Sequence, residues 1–368
     1  MQLETTAGTF TLARYPARKQ ESLRAWNAAD TLLIERVLTD CQPGSLLVVN
    51  DEQGALSVAL QPTALWSDSA LSVLATAENL RRNNRSPVPA IPSTQIPTGH
   101  YDTVAIKVPK LGTYFEYQLS QLAASLAPGT SVLAAGMDKH LSSRTGNLLE
   151  QYIGPTQRHR GQSKARVFTS VRDERQAVSH TAETQYHCEA LDATLVSLAN
   201  VFSREKMDAG SRFLIEQMGQ LEPVSHVIDL ACGNGILGLV AKARGLGESL
   251  DFIDESAMAV ASARLNAEHL YPAAKDSMGF HQGDGLVNFQ GKQAELILCN
   301  PPFHANHAVE EYVGRRLLAQ CANYLGRSGK LCLVANRHLQ YLPTLKHGFS
   351  RVDKLAENSK FIVWQAQK

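Results

Sequence analysis

Residues 226–243, HVIDLACGNGILGLVAKA, pass from an apolar strand through a glycine-rich turn straight into an apolar helix. A strand that hands over to a helix this quickly is the first half of a crossover, so its next strand should return parallel to it. The alternation continues. LDFIDESAMAVASARLNAEHL repeats strand and helix with an acid at the strand end, and MGFHQGDGL and AELILCNPPF supply two more strands. A helical pattern spans 309–325, and GKLCLVAN is a fifth strand after a glycine turn. The tail, RVDKLAEN and KFIVWQAQ around Asn358-Ser359, predicts an antiparallel hairpin closing the sheet edge. The fold class expected is α/β, a Rossmann-like and mostly parallel seven-stranded sheet ending in a hairpin.

At 368 residues the chain exceeds the roughly 250–300 that one core serves. The first half repeats the same order more faintly: SLLVVNDEQGALSVAL resembles VIDLACGNGILGLV, LWSDSALSVLATAENL resembles DFIDESAMAVASARLN, and YDTVAIKVPK echoes AELILCNPP. Gly54 and Gly235 lie 181 residues apart, Asp68 and Asp254 186, and Pro109 and Pro301 192. A drift of loop size suits an internal duplication, whereas two unrelated α/β domains would share only local patterns. Domains are expected at 1–185 and 186–368, with the polar stretch 172–184 as linker.

Net charge is only +1, so bulk charge does not advertise nucleic acid. The six cysteines are scattered without a Cys-x-x-Cys, which indicates neither a disulfide framework nor a zinc site. The opening MQLETTAGTFTLARYP lacks the basic end and apolar run of a signal peptide, and no stretch of about 18 apolar residues follows. A cytoplasmic chain without membrane contact or metal is expected.

Gly233, Gly235 and Gly238 fit G-x-G-x-x-G, which alone marks any nucleotide-binding unit or a bare strand-to-helix turn. Asp254, at the end of the next strand, suits two ribose hydroxyls; Glu255 beside it and Asn234 within the loop join the candidate set. Asp229 is more informative. A carboxylate there would repel a pyrophosphate but favours an ammonium and a sulfonium, both of which S-adenosylmethionine carries. Asp284, after the following strand, is placed to accept from an adenine amine.

The same sheet edge carries Asn300, Pro301, Pro302 and Phe303. An exocyclic amine on a base is a poor nucleophile, because its lone pair is delocalised into the ring. Two fixed acceptors, the Asn300 side-chain oxygen and the Pro301 carbonyl, would favour a pyramidal nitrogen, with the prolines supplying rigidity and Phe303 stacking on the base.

With these motifs the sequence resembles the class I S-adenosylmethionine-dependent amino-methyltransferases, and among them the rRNA guanine-N2 enzymes with duplicated domains. Asn-Pro-Pro-Phe, ANVFSREKMDAGSRFL, IDESAMAVASARLN and VANRHLQY carry the likeness over nearly the whole chain. They lie nearer the enzymes of 23S rRNA than the small-subunit (16S) enzymes. The resemblance implies a first domain degenerate in chemistry and used to recognise RNA. It also implies a protein-poor 23S rRNA substrate, a monomer, and Phe202, Ser203, Asp208 and Gly210 near the cofactor. Ala231 departs from the family, which usually has glycine there.

In the first half, aligning Gly54 with Gly235 places Val48 opposite Asp229 and Glu52 opposite Gly233, and aligning Pro109 with Pro301 places Val108 opposite Asn300, so no S-adenosylmethionine is expected there. Two basic clusters, Arg81, Arg82 and Arg85, and Arg158, Arg160, Lys164 and Arg166, are the candidates for RNA contact. A non-catalytic assembly factor would require the second half to have lost its site too. A nicotinamide enzyme would have no use for Asn-Pro-Pro-Phe.

Overall fold

The computed structural model describes the chain except residues 19, 20, 43, 179 and 303–306 and the side chains of 307–311. Two compact units divide it, Met1–Ala182 and Glu183–Lys368. In the second, seven strands lie in the order Met278–Gln282, Gly247–Asp254, Val224–Leu230, Leu296–Cys299, Lys330–Asn336, Phe361–Gln367 and Arg351–Glu357. The first five are parallel and the last two antiparallel, as the tail pattern predicts. The Asn358 side chain forms the hairpin turn, accepting from the N–H groups of Lys360 (2.9 Å) and Phe361 (2.8 Å).

The parallel strands read as unbroken apolar runs because helices cover both faces. Helices Ala209–Gln217, Ile236–Ala243 and Ala257–Leu270 pack over Val227, Phe252, Leu298 and Val334. On the other face Leu317, Leu318 and Cys321 of the helix His307–Tyr324 meet Ile228, Ile253, Ile297 and Leu333. Chain order reverses between Val224–Leu230 and Leu296–Cys299, so the carboxyl ends of these two strands flank the crevice where sheets of this kind bind ligands. Asp229 and Asn300 stand at those ends.

The first unit has the same strand order: Ala90–Pro92, Ala64–Ser67, Leu46–Val49, Thr103–Lys107, Ser131–Met137, Ala165–Val171 and Thr156–Arg158. Gly54 (φ 81°, ψ 13°) and Gly235 (φ 84°, ψ 10°) begin equivalent helices in one left-handed conformation, which explains why glycine is shared at a 181-residue offset. The linker is narrower than 172–184. Arg172 is buried, with its guanidinium donating to the Ala123 carbonyl at 3.0 Å and the Arg175 carbonyl at 2.9 Å. Thr184 already belongs to the hairpin of Thr184–Cys188 with Ala193–Ser197. Among the described residues no helix is long and apolar enough to cross a membrane.

Candidate active site

Asp229 is fully buried, and its Oδ2 accepts from the Gly238 N–H at 2.8 Å. Its Oδ1 has no partner among the described residues. Burial pushes its pKa up to about 8; the Gly238 N–H acts against this rise and the charge of Asp254 adds to it. One oxygen therefore ties strand to helix while the other is an acceptor awaiting a donor, as an ammonium would be. Gly238 permits this closeness, since a Cβ there would lie 2.4 Å from the Phe252 ring.

Asp254 closes the loop from the neighbouring strand: Oδ2 accepts from the Gly233 N–H at 2.9 Å and Oδ1 from the Ser256 N–H at 3.0 Å. Its carboxylate shapes the turn at which a ribose is expected. Ala231 adopts φ 58°, so the loop keeps its left-handed turn with alanine in glycine's place and bears the strain. Two further candidates have partners of their own. The Asn234 amide donates to Tyr186 Oη and Ser197 Oγ, each at 3.1 Å, and so fastens the loop to the hairpin beside it. The buried Asp284 carboxylate pairs through both oxygens with the Arg316 guanidinium. Glu255 is half-buried beside Asp254, and its carbonyl accepts from Gln282 Nε2 at 3.0 Å.

Asn300 follows the strand Leu296–Cys299 and meets the start of the helix Ala209–Gln217. Asp208 caps that helix, its Oδ2 accepting from the Ser211 N–H at 3.0 Å. Asn300 Nδ2 donates to the same Oδ2 at 3.0 Å and to Ser211 Oγ at 2.9 Å. Its Oδ1 is buried without a partner among the described residues. Gly210 makes room, since a Cβ there would be 2.9 Å from Asp208 Oδ2 and 3.5 Å from Asn300 Oδ1. Pro301 is buried and Pro302 exposed, whereas Phe303 lies outside the described residues. Phe202 is 49% exposed, and Ser203 Oγ donates to the Lys206 carbonyl at 2.8 Å. Sequence reasoning missed Ser211; its signal was the third position after the capping Asp208, where side chains face back toward the cap.

Sheet register alters one alignment in the first unit. Val48 pairs with Ala105, and Asp229 with Leu298, so two residues on it is Lys107 and not Val108 that stands opposite Asn300. The buried Lys107 ammonium pairs with Asp30 and lies 3.5 Å from Asn27 Oδ1. Asn27 is the cap and Asp30 the third residue of the helix Ala28–Asp40, the places held by Asp208 and Ser211 in the second unit. The lost acid at Val48 is also partly replaced. Asp51 Oδ2 accepts from the Ser57 N–H at 2.7 Å, and burial pushes its pKa up to about 6. An ion pair thus fills the position where the second unit holds open acceptors.

The two basic clusters differ. Arg81 and Arg82 each lie 3.0 Å from Glu78, and the Arg85 guanidinium sits 5.1 Å over the Phe10 ring. Arg166 pairs with Asp138 at 3.1 Å. Arg158, Arg160 and Lys164 are exposed on and beside the edge strand Thr156–Arg158.

Comparison with known proteins agrees with this architecture. Residues 1–174 match the family model described as the RLMG N-terminal domain, and 192–365 the one described as the methyltransferase small domain. The chain is 37% identical to the ribosomal RNA large subunit methyltransferase G of Pseudoalteromonas translucida, over 100% of this chain and 98% of that protein. The protein of the same name from Aeromonas hydrophila is 38% identical, over 100% and 99%. Among solved structures, the T. thermophilus 16S rRNA N2 G1207 methyltransferase, in complex with AdoMet and guanosine, shares the fold with a TM-score of 0.79 at 21% identity, over 100% of this chain and 97% of that one. Two repeated sheets, a glycine loop with its acids, and full-length identity of this degree establish that the chain belongs to the ribosomal RNA large subunit methyltransferase G family of methyltransferases.

Proposed function

We propose that this protein transfers the methyl group of S-adenosylmethionine to the exocyclic N2 amine of a guanine in 23S rRNA. The observation that carries the reading is the Asn300 amide, whose NH2 is committed to Asp208 and Ser211 while Oδ1 is buried and unpartnered among the described residues. An acceptor kept dry at the carboxyl end of this strand suits an amine hydrogen, and the Pro301 carbonyl would take the second. The N2 lone pair then attacks the methyl carbon, the carbon–sulfur bond breaks to leave the thioether, and the extra proton on nitrogen passes to water. Asp229 Oδ1 would hold the cofactor ammonium, and the loop of Gly233 and Gly235, shaped by Asp254, would pack against the nucleoside. Phe202, Ser203, Asp208 and Gly210 would border the same crevice. The names of the relatives favour the large-subunit RNA as substrate; protein-poor RNA, a monomer and a cytoplasmic setting complete the reading.

The first unit would recognise RNA. Its site equivalent to Asn300 is filled by Lys107 and Asp30, and Arg158, Arg160 and Lys164 are exposed cations that phosphates could reach. The test combines methyl transfer to protein-free 23S and 16S rRNA with filter binding at several salt concentrations. Asn300→Ala should leave cofactor affinity within a few-fold while transfer to 23S rRNA falls about a hundredfold. Neutralising Arg158, Arg160 and Lys164 should flatten the logarithmic salt dependence by roughly 0.7–0.9 for each phosphate no longer neutralised. Transfer to 16S rRNA alone would contradict the substrate, and an unchanged salt slope the recognition patch.

A further inference from the structure

We infer that Asp208 and Ser211 are positioning residues that fix which end of the Asn300 amide faces the substrate. The inference rests on the proposed use of Asn300 as an amine acceptor and adds what makes it one. An asparagine side chain can present either its oxygen or its NH2, and the wrong end would offer a donor to an amine that is itself a donor. The chemistry of the partners decides between them. Asp208 Oδ2 already accepts from the Ser211 N–H at 3.0 Å, and a carboxylate can only accept, so the Asn300 atom 3.0 Å from it has to be the NH2. Ser211 Oγ accepts from the same nitrogen at 2.9 Å, which uses both amide hydrogens. Oδ1 is thereby turned outward from the helix start, buried and unpartnered among the described residues. Gly210 lets the anchor form.

The first unit supplies independent support. There the cap Asn27 and the third helix residue Asp30 face the strand-end Lys107, a residue with donors only. In both units this pair of helix positions is a socket for a donor at the carboxyl end of the strand that pairs with the first parallel strand. What differs is the tenant. Lysine leaves no acceptor behind, whereas asparagine leaves one.

Two double-mutant cycles in the full chain test this. In methyl transfer, Ser211→Ala should lower kcat about tenfold with the dissociation constant for S-adenosylmethionine within twofold, Ser211→Thr should recover most of the loss, and Ser211→Ala should cost nothing further in an Asn300→Ala background. In thermal unfolding, which needs no RNA, Asn300→Asp sets two carboxylates face to face and should lower Tm. Asp208→Asn, which keeps a competent helix cap, should restore it by offering an NH2. An equal kcat loss from Ser211→Ala with and without Asn300, or no rescue of Tm, overturns the positioning role while leaving the acceptor role of Asn300 standing. Wild-type transfer by Asn300→Ala overturns the acceptor role itself and the inference with it.

Discussion

Two buried oxygens without partners among the described residues, Asp229 Oδ1 and Asn300 Oδ1, mark the crevice more sharply than any charge. Leaving a buried acceptor unsatisfied costs about 1–3 kcal/mol, which a ligand donor would return. For Asp229 the cost appears as a pKa pushed up to about 8, against about 3.9 for an unfolded aspartate. Between those values the folded state holds the extra proton, so this residue's contribution to stability falls as pH rises across the window. A cationic ammonium beside it would favour the ionised form and expel that proton. Binding of S-adenosylmethionine at pH 7 should therefore release protons, seen as a calorimetric heat that varies with the ionisation enthalpy of the buffer, and Asp229→Asn should abolish the variation. A heat independent of buffer in the wild type would place the ammonium elsewhere. Asp229 and Asn300 were legible as candidates because acids and prolines at strand ends have few structural uses. How their lone pairs are divided was not, because Gly238, Ser211 and Arg316 reach Asp229, Asn300 and Asp284 from other elements, 9, 89 and 32 residues away in sequence.

From Val224 onward strands and helices were legible, since parallel strands buried on both faces read as apolar runs and the helices between them carry a helical period, whereas elements such as Ala28–Asp40 and the hairpin of Thr184–Cys188 with Ala193–Ser197 were not read. Pairing was harder. Aligning the prolines Pro109 and Pro301 sets Val108 against Asn300, but sheet register moves the match to Lys107, because the loops after the two strands differ by one residue. With that step the first unit's site is no longer empty but filled. Lys107 and Asp30 are each 7% exposed, so removing one partner strands the other's charge. Lys107→Met should destabilise the first unit by about 3–5 kcal/mol, and adding Asp30→Asn should recover more than half. Urea unfolding followed by fluorescence in a Trp364→Phe background reads this unit, because Trp26 and Trp66 both lie in it. A loss under about 1 kcal/mol from Lys107→Met would mean the pair is solvated and does not fill the site.

Across the whole molecule the same seven-stranded order occurs twice, with two outcomes. In the second unit the glycine loop, the acids and the Asn300 amide leave acceptors open; in the first, Lys107 and Asp30 fill the place of Asn300, while Asp51 Oδ1 is, like Asp229 Oδ1, buried without a partner among the described residues. The duplication was visible as repeated offsets, but its consequence needed three-dimensional register. On the proposed reading the first unit, without the chemistry, holds RNA, with the exposed Arg158, Arg160 and Lys164 as its candidate contacts. The central claim, that the second unit methylates a guanine amine of 23S rRNA through Asn300, is met most directly by mapping N2-methylguanine in 23S rRNA from cells with the protein, without it, and complemented with wild type or Asn300→Ala. The account predicts that one guanine loses its N2-methyl group on deletion and regains it only with the wild type; an identical N2-methylguanine pattern in all four would contradict it.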